Sequence, residues 1–113
     1  PGQPAVTLFD QAPLGVAAAS TPEVMRHVTG AVLGALAALP GAERAVLLDT
    51  LEAWRDCGGS AAAAAERLYV HPNTVRHRLR RITAATGRSL TAPRDVAELC
   101  LALEAARQQP GPA

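Results

Sequence analysis

A chain of 113 residues leaves room for one small domain with a modest core and excludes a large enzyme cleft. The hydrophobic fraction is 49%, but twenty-five of those residues are Ala and only Phe9, Trp54 and Tyr69 are aromatic, which favours close-packed short helices over a β-sandwich. All eleven cations are Arg, and a net charge of +1 makes no case by itself for a polyanionic partner.

Residues 1–20 read as a lead-in, the remnant of an upstream domain or linker, with a strand-like run at 5–9 that has nothing nearby to pair with. A helical domain is expected over 21–109. Its first helix starts at Thr21, which can cap, with Pro22 in the first helical position and Glu23 at the positive end. Met25, Val28, Val32, Leu36 and Leu39 then recur every three or four residues until Pro40-Gly41. The nearly uncharged stretch 28–39 has twelve residues, well short of the roughly 20 that a membrane span needs, so no membrane partner is expected.

A second helix, about 42–56, carries Leu47, Leu48, Leu51 and Trp54 on one face and stops at Gly58-Gly59. Its Asp49, Glu52 and Asp56 read as solvated charges. Ser60 caps a short third helix, 61–68, whose five consecutive alanines let a neighbouring backbone come close. Tyr69-Val70-His71 breaks the periodicity. A fourth helix starts at Pro72 and runs to Thr86 before Gly87. After a loop at 88–92, a fifth helix over 93–108 is expected to bury Val96, Leu99, Cys100 and Leu103, and the tail 110–113 is expected to be disordered. The fold class is therefore all-α, a five-helix domain with a helix-turn-helix at 60–87.

Charge is not evenly spread. Residues 1–67 hold four Arg against seven acids, 68–93 five Arg and no acid, and 94–113 two Arg against three acids. The one basic block coincides with the fourth helix and the turn before it. At 100° per residue, Val75, Leu79, Ile82 and Thr86 fall on one inward face, and Leu68 and Val70 join them in the core between the two helices. Asn73, His77, Arg80 and Ala84 lie opposite, Arg76 and Arg78 on the flanks, and Thr74 and Arg81 between flank and front.

Two helices joined by about three residues make the unit that fits a DNA major groove. Short hydrogen-bonding residues near the start of the recognition helix, about 72–86, reach base edges: His71, Asn73, Thr74 and His77 are the base-reading candidates. Arg76, Arg78, Arg80 and Arg81 are the candidates for phosphates on the groove walls. The amides at the start of that helix offer a further phosphate seat. The plain alternative for four Arg on one amphipathic helix is a solvated face; what favours DNA is their conjunction with the short preceding helix, the tight turn and the acid-free block.

The run Val70-His71-Pro72-Asn73-Thr74-Val75-Arg76-His77-Arg78-Leu79-Arg80-Arg81-Ile82, within 58–87, resembles the C-terminal helix-turn-helix of the PucR/CdaR family of bacterial transcription regulators. The likeness extends through Leu33-Gly34-Ala35-Leu36, Leu47-Leu48-Asp49-Thr50-Leu51 and the last helix, and so covers about residues 28–106. More distantly, the module resembles the Fis-type helix-turn-helix. Pro72 departs from the family pattern where an Arg is common, which removes a phosphate contact, and His77 where an aromatic such as Tyr is common. The resemblance implies a cytoplasmic, nucleoid-associated regulator that binds double-stranded DNA as a homodimer. It also implies an upstream sensor domain, absent from this chain, which would make the chain a C-terminal fragment.

No nucleophile stands with a base and no Gly-rich phosphate loop is present, so no enzyme and no cofactor are expected. His27, His71 and His77 lack ligand spacing with Cys57 or Cys100, so no metal is expected either. The two cysteines read as buried structural thiols of a reducing compartment. The competing functional reading is a protein-interaction or dimerisation module that uses the apolar helix 21–39.

Overall fold

A computed structural model describes residues 22–108. Among them five helices and no strand follow one another: α1 (Pro22–Ala37), α2 (Gly41–Asp56), α3 (Ala61–Leu68), α4 (Pro72–Thr86) and α5 (Pro93–Gln108). The expected lead-in, its strand-like run, the Thr21 cap and the tail lie outside the described residues, as do the side chains of Met25 and Val28.

α1 ends at Ala37, two residues before the last apolar position that periodicity assigns to it. Pro40 disfavours helical geometry in the residue before it, and the chain leaves the helix through a turn in which the Leu39 N–H donates to the Leu36 carbonyl at 3.1 Å. Arg44, already on α2, donates to the Ala37 carbonyl at 3.3 Å and so caps the negative end of α1. α2 ends in a glycine-built turn. Gly59 sits at φ 83, in the left-handed region that favours glycine, while a Cβ there would meet the Trp54 ring at an ordinary contact distance of 3.4 Å. Trp54 is thus a lid on the edge of the core, half-buried rather than central.

The core is one cluster drawn from all five helices: Val32 and Leu36 of α1; Leu47, Leu51 and Ala53 of α2; Ala64 and Ala65 of α3; Val75, Leu79 and Ile82 of α4; Leu99, Ala102 and Leu103 of α5. α1 lies along α5, while α1, α2 and α3 surround the buried stripe of α4. Fully buried Ala64 and Ala65 let the short α3 sit close against its neighbours. Each buried Leu or Ile contributes roughly 1.5–3 kcal/mol through the apolar surface it removes from water. Of the three threonines buried among the described residues, Thr50 and Thr86 donate their hydroxyls to carbonyls one turn back, Val46 and Ile82, both at 2.8 Å.

The expected burial on α5 holds for Leu99, Cys100 and Leu103. Val96 is only half-buried, and Ala102 takes a core position instead. Cys57, expected to be buried, is half-buried at the end of α2. The acids of α2 do more than meet solvent. Asp49 and Glu52 pair with Arg107 of α5 at 2.6 and 3.4 Å, and Asp56 pairs with Arg55 at 2.9 Å.

Candidate nucleic-acid interface

Three residues join α3 to α4, and each does a different job. Tyr69 adopts the left-handed conformation, φ 58 and ψ 42, that ends α3. Its N–H donates to the Glu66 carbonyl at 3.3 Å, and that of Val70 donates to the Ala65 carbonyl at 3.0 Å, so the last turn of α3 is satisfied by backbone alone. Val70 packs half-buried against the core, and the Tyr69 side chain stands in solvent. His71 is extended and caps α4: its Nδ1 accepts the Asn73 N–H at 3.0 Å. An Nδ1 that accepts carries no proton, so neutral His71 keeps its hydrogen on Nε2 as an outward donor.

This cap removes the phosphate seat expected on the first amides of α4. Pro72 has no N–H, the Asn73 N–H is held by His71 Nδ1, and the N–H groups of Thr74 and Val75 both donate to the His71 carbonyl, at 2.9 and 3.3 Å. Anion binding there would have to displace the imidazole. At the other end Gly87 takes φ 70 and donates to the Thr83 carbonyl at 2.9 Å, closing the helix.

Below this surface the predicted stripe is in place, with Val75, Leu79, Ile82 and Thr86 all buried. His71, Asn73 and His77 are exposed and Thr74 is half-buried, so the four base-reading candidates share the first two turns of α4 and its cap. The Asn73 Oδ1 accepts from Arg76 at 2.9 Å, a bond that a bidentate reading of adenine would have to share or release.

The four arginines divide into two pairs. Arg76 and Arg80 are exposed, one turn apart, and neither meets a carboxylate among the described residues. Arg78 and Arg81 turn towards α2: Arg78 donates to Thr50 Oγ1 at 3.4 Å, and Arg81 forms an ion pair with Glu43 through Nε, at 2.9 Å, and Nη2. The stretch without acids in sequence is therefore not free of acids in space. Glu43 neutralises Arg81, and Glu98 of α5 neutralises Arg88 at 3.2 Å. Beside the unpaired arginines an open groove of about 250 Å³ is lined by Arg76, Leu79, Arg80, Thr83 and Leu90.

Two residues of this surface are not singled out by sequence reasoning. Glu43 lies 38 positions from Arg81 and carries no local signal. Tyr69 does carry one: it fills the slot between two capped helices where a left-handed residue, usually glycine, is required. Among the described residues no group of three or more His, Cys, Asp or Glu could hold a metal ion, and no helix is long and apolar enough to cross a membrane.

A family model described as the PucR C-terminal helix-turn-helix domain matches residues 47–105. Uncharacterized proteins of Mycobacterium bovis and of two strains of Mycobacterium tuberculosis are each 61% identical to this chain over 49 residues. That segment is 43% of this chain and 12% of the length of those relatives.

Proposed function

The chain belongs to the PucR C-terminal helix-turn-helix family, a DNA-binding module of transcription regulators, and on that premise we propose that α4 enters the major groove as the recognition helix. The observation that carries this reading is the pair Arg76 and Arg80, exposed on a rigid helix and unopposed by any described carboxylate. Two such guanidinium groups one turn apart suit phosphates along one wall of the groove. Asn73 and His77 at the front, with the cap residue His71 and Thr74 near the helix start, are the base readers. Arg81 joins the phosphate contacts by leaving Glu43, an exchange that an exposed pair worth roughly 0–1 kcal/mol permits, and Arg78 by giving up its part-buried bond to Thr50.

One such module neutralises few phosphates, so we infer a homodimer that sets two recognition helices about 34 Å apart on a palindromic site. Burial of Val32 and Leu36 in the chain's own core speaks against α1 as a free interaction surface, the competing reading. The module is proposed as the DNA-reading end of a longer cytoplasmic regulator with a metabolite-sensing part ahead of it. The small share of the relatives' length that it matches fits that organisation.

The test is selection of duplexes from a random-sequence pool, followed by titration of the selected sequence. Asn73→Ala is expected to bind with relaxed preference at one position, losing roughly 10- to 100-fold of discrimination there. Failure of the wild-type chain to enrich any duplex removes the assignment.

A further inference from the structure

We propose that Tyr69 is a DNA-backbone contact, its ring laid on a deoxyribose and its hydroxyl donating to a phosphate oxygen beside the N-terminal end of α4. The proposal rests on α4 docking in the major groove. Tyr69 is 95% exposed, so its side chain adds nothing to the core. Its φ of 58 makes it the only non-glycine among the described residues in the left-handed region, where a Cβ is disfavoured and glycine is not. The two bonds that end α3 are made by the main-chain N–H groups of Tyr69 and Val70, and a glycine would keep both. Local stability therefore argues for glycine at this position, and a bulky aromatic held there against that preference points to a contact outside the chain.

Place and chemistry indicate which contact. Tyr69 stands two residues ahead of the His71 cap, at the end of α4 that approaches the groove first. A phenol is neutral, has few rotatable bonds and carries a donor at its tip, which suits a sugar-phosphate edge beyond the reach of the base readers. A protein partner would call for an apolar patch. Instead the exposed neighbours are Glu66, Arg67 and His71, and the other exposed large hydrophobic residue, Val46, lies on α2.

The test compares Tyr69→Gly and Tyr69→Phe with the wild-type chain, titrated by fluorescence anisotropy against the duplex that the wild type selects and against an unrelated duplex. Tyr69→Gly is expected to melt no lower than the wild type, and up to about 5 °C higher. Its affinity should fall about 5- to 10-fold for both duplexes. The salt dependence should stay unchanged, because a neutral phenol displaces no counterion. Tyr69→Phe keeps the ring and should lose only about threefold. Undiminished affinity in Tyr69→Gly, together with weakened binding by Arg76→Ala, would overturn the Tyr69 contact and leave α4 as the reader. A wild-type chain that selects no duplex overturns both. Normal DNA affinity with altered self-association, or a Tm lowered by more than about 5 °C, assigns the ring to a protein interface or to the fold and equally overturns the proposal.

Discussion

Along the seam between α2 and α5 the guanidinium groups reach carboxylates across the two helices: Arg55 meets Glu104 at 2.5 Å, and Arg107 meets Asp49 at 2.6 Å and Glu52 at 3.4 Å. On the outward flank of α4, Arg76 and Arg80 have the same chemistry and no described carboxylate within reach. At the Arg55–Glu104 pair the difference lies in desolvation, while the Arg107 pairs stay open to solvent. Arg55 and Glu104 are about one-fifth exposed, and burial works to lower the Arg55 pKa, but the hydrogen bonds and charges of Asp56 and Glu104 outweigh it and hold the pKa above its ordinary value. Such a charge belongs to the fold. Arg76 and Arg80 remain hydrated and leave their counterions free to be released, which is the state the proposed phosphate contacts need.

The contrast breaks most decisively at Arg76 and Arg80. The double variant Arg76→Ala/Arg80→Ala is expected to lose about 100-fold in DNA affinity and to flatten the salt slope by about two units, with Tm unchanged. Anisotropy titrations over a salt series measure both, and a shifted Tm would mean that these arginines support the fold after all. Arg55→Ala should do the opposite. Stranding the part-buried Glu104 should cost about 1–3 kcal/mol in urea unfolding and leave the salt slope intact.

Glu43→Gln probes the boundary between the two regimes. It frees Arg81 for phosphate and should raise affinity about two- to threefold, with stability changed by less than about 0.5 kcal/mol, because that pair is exposed. An affinity that falls instead would show that the ion pair holds α4 in its binding geometry. The smallest effect concerns Cys100. Desolvation, with the Glu104 and Asp56 charges adding to it and Arg55 opposing, pushes its thiol above the ordinary value of 9.0. Above about pH 9 the unfolded chain releases this proton before the folded one, so stability should decline by a few tenths of a kcal/mol per pH unit as pH rises. Cys100→Ala should flatten that decline in urea midpoints measured between about pH 8 and 10.

Much of the helix-turn-helix was legible in sequence because its causes are local. The inward stripe of α4 follows from a period of 3.6, the start of α3 from Ser60, whose hydroxyl accepts the Ala63 N–H at 3.1 Å, and the end of α4 from Gly87. Even the place of Pro72 in the first turn could be assigned from its missing N–H. The cap contributed by His71 was not legible, since histidine is not among the residues that usually cap, and it cancels the expected anion seat.

By itself the sequence determined the five helices to within two residues at the described ends, the apolar face of α4, and that one segment carries an excess of Arg, because propensity, capping and periodicity act within a few residues. Only the tertiary structure decided which of those arginines are available. Glu43 and Arg81 are 38 positions apart and Arg107 and Asp49 are 58 apart, and a charge is neutralised by whatever the packing brings within about 4 Å, not by what stands beside it in the chain.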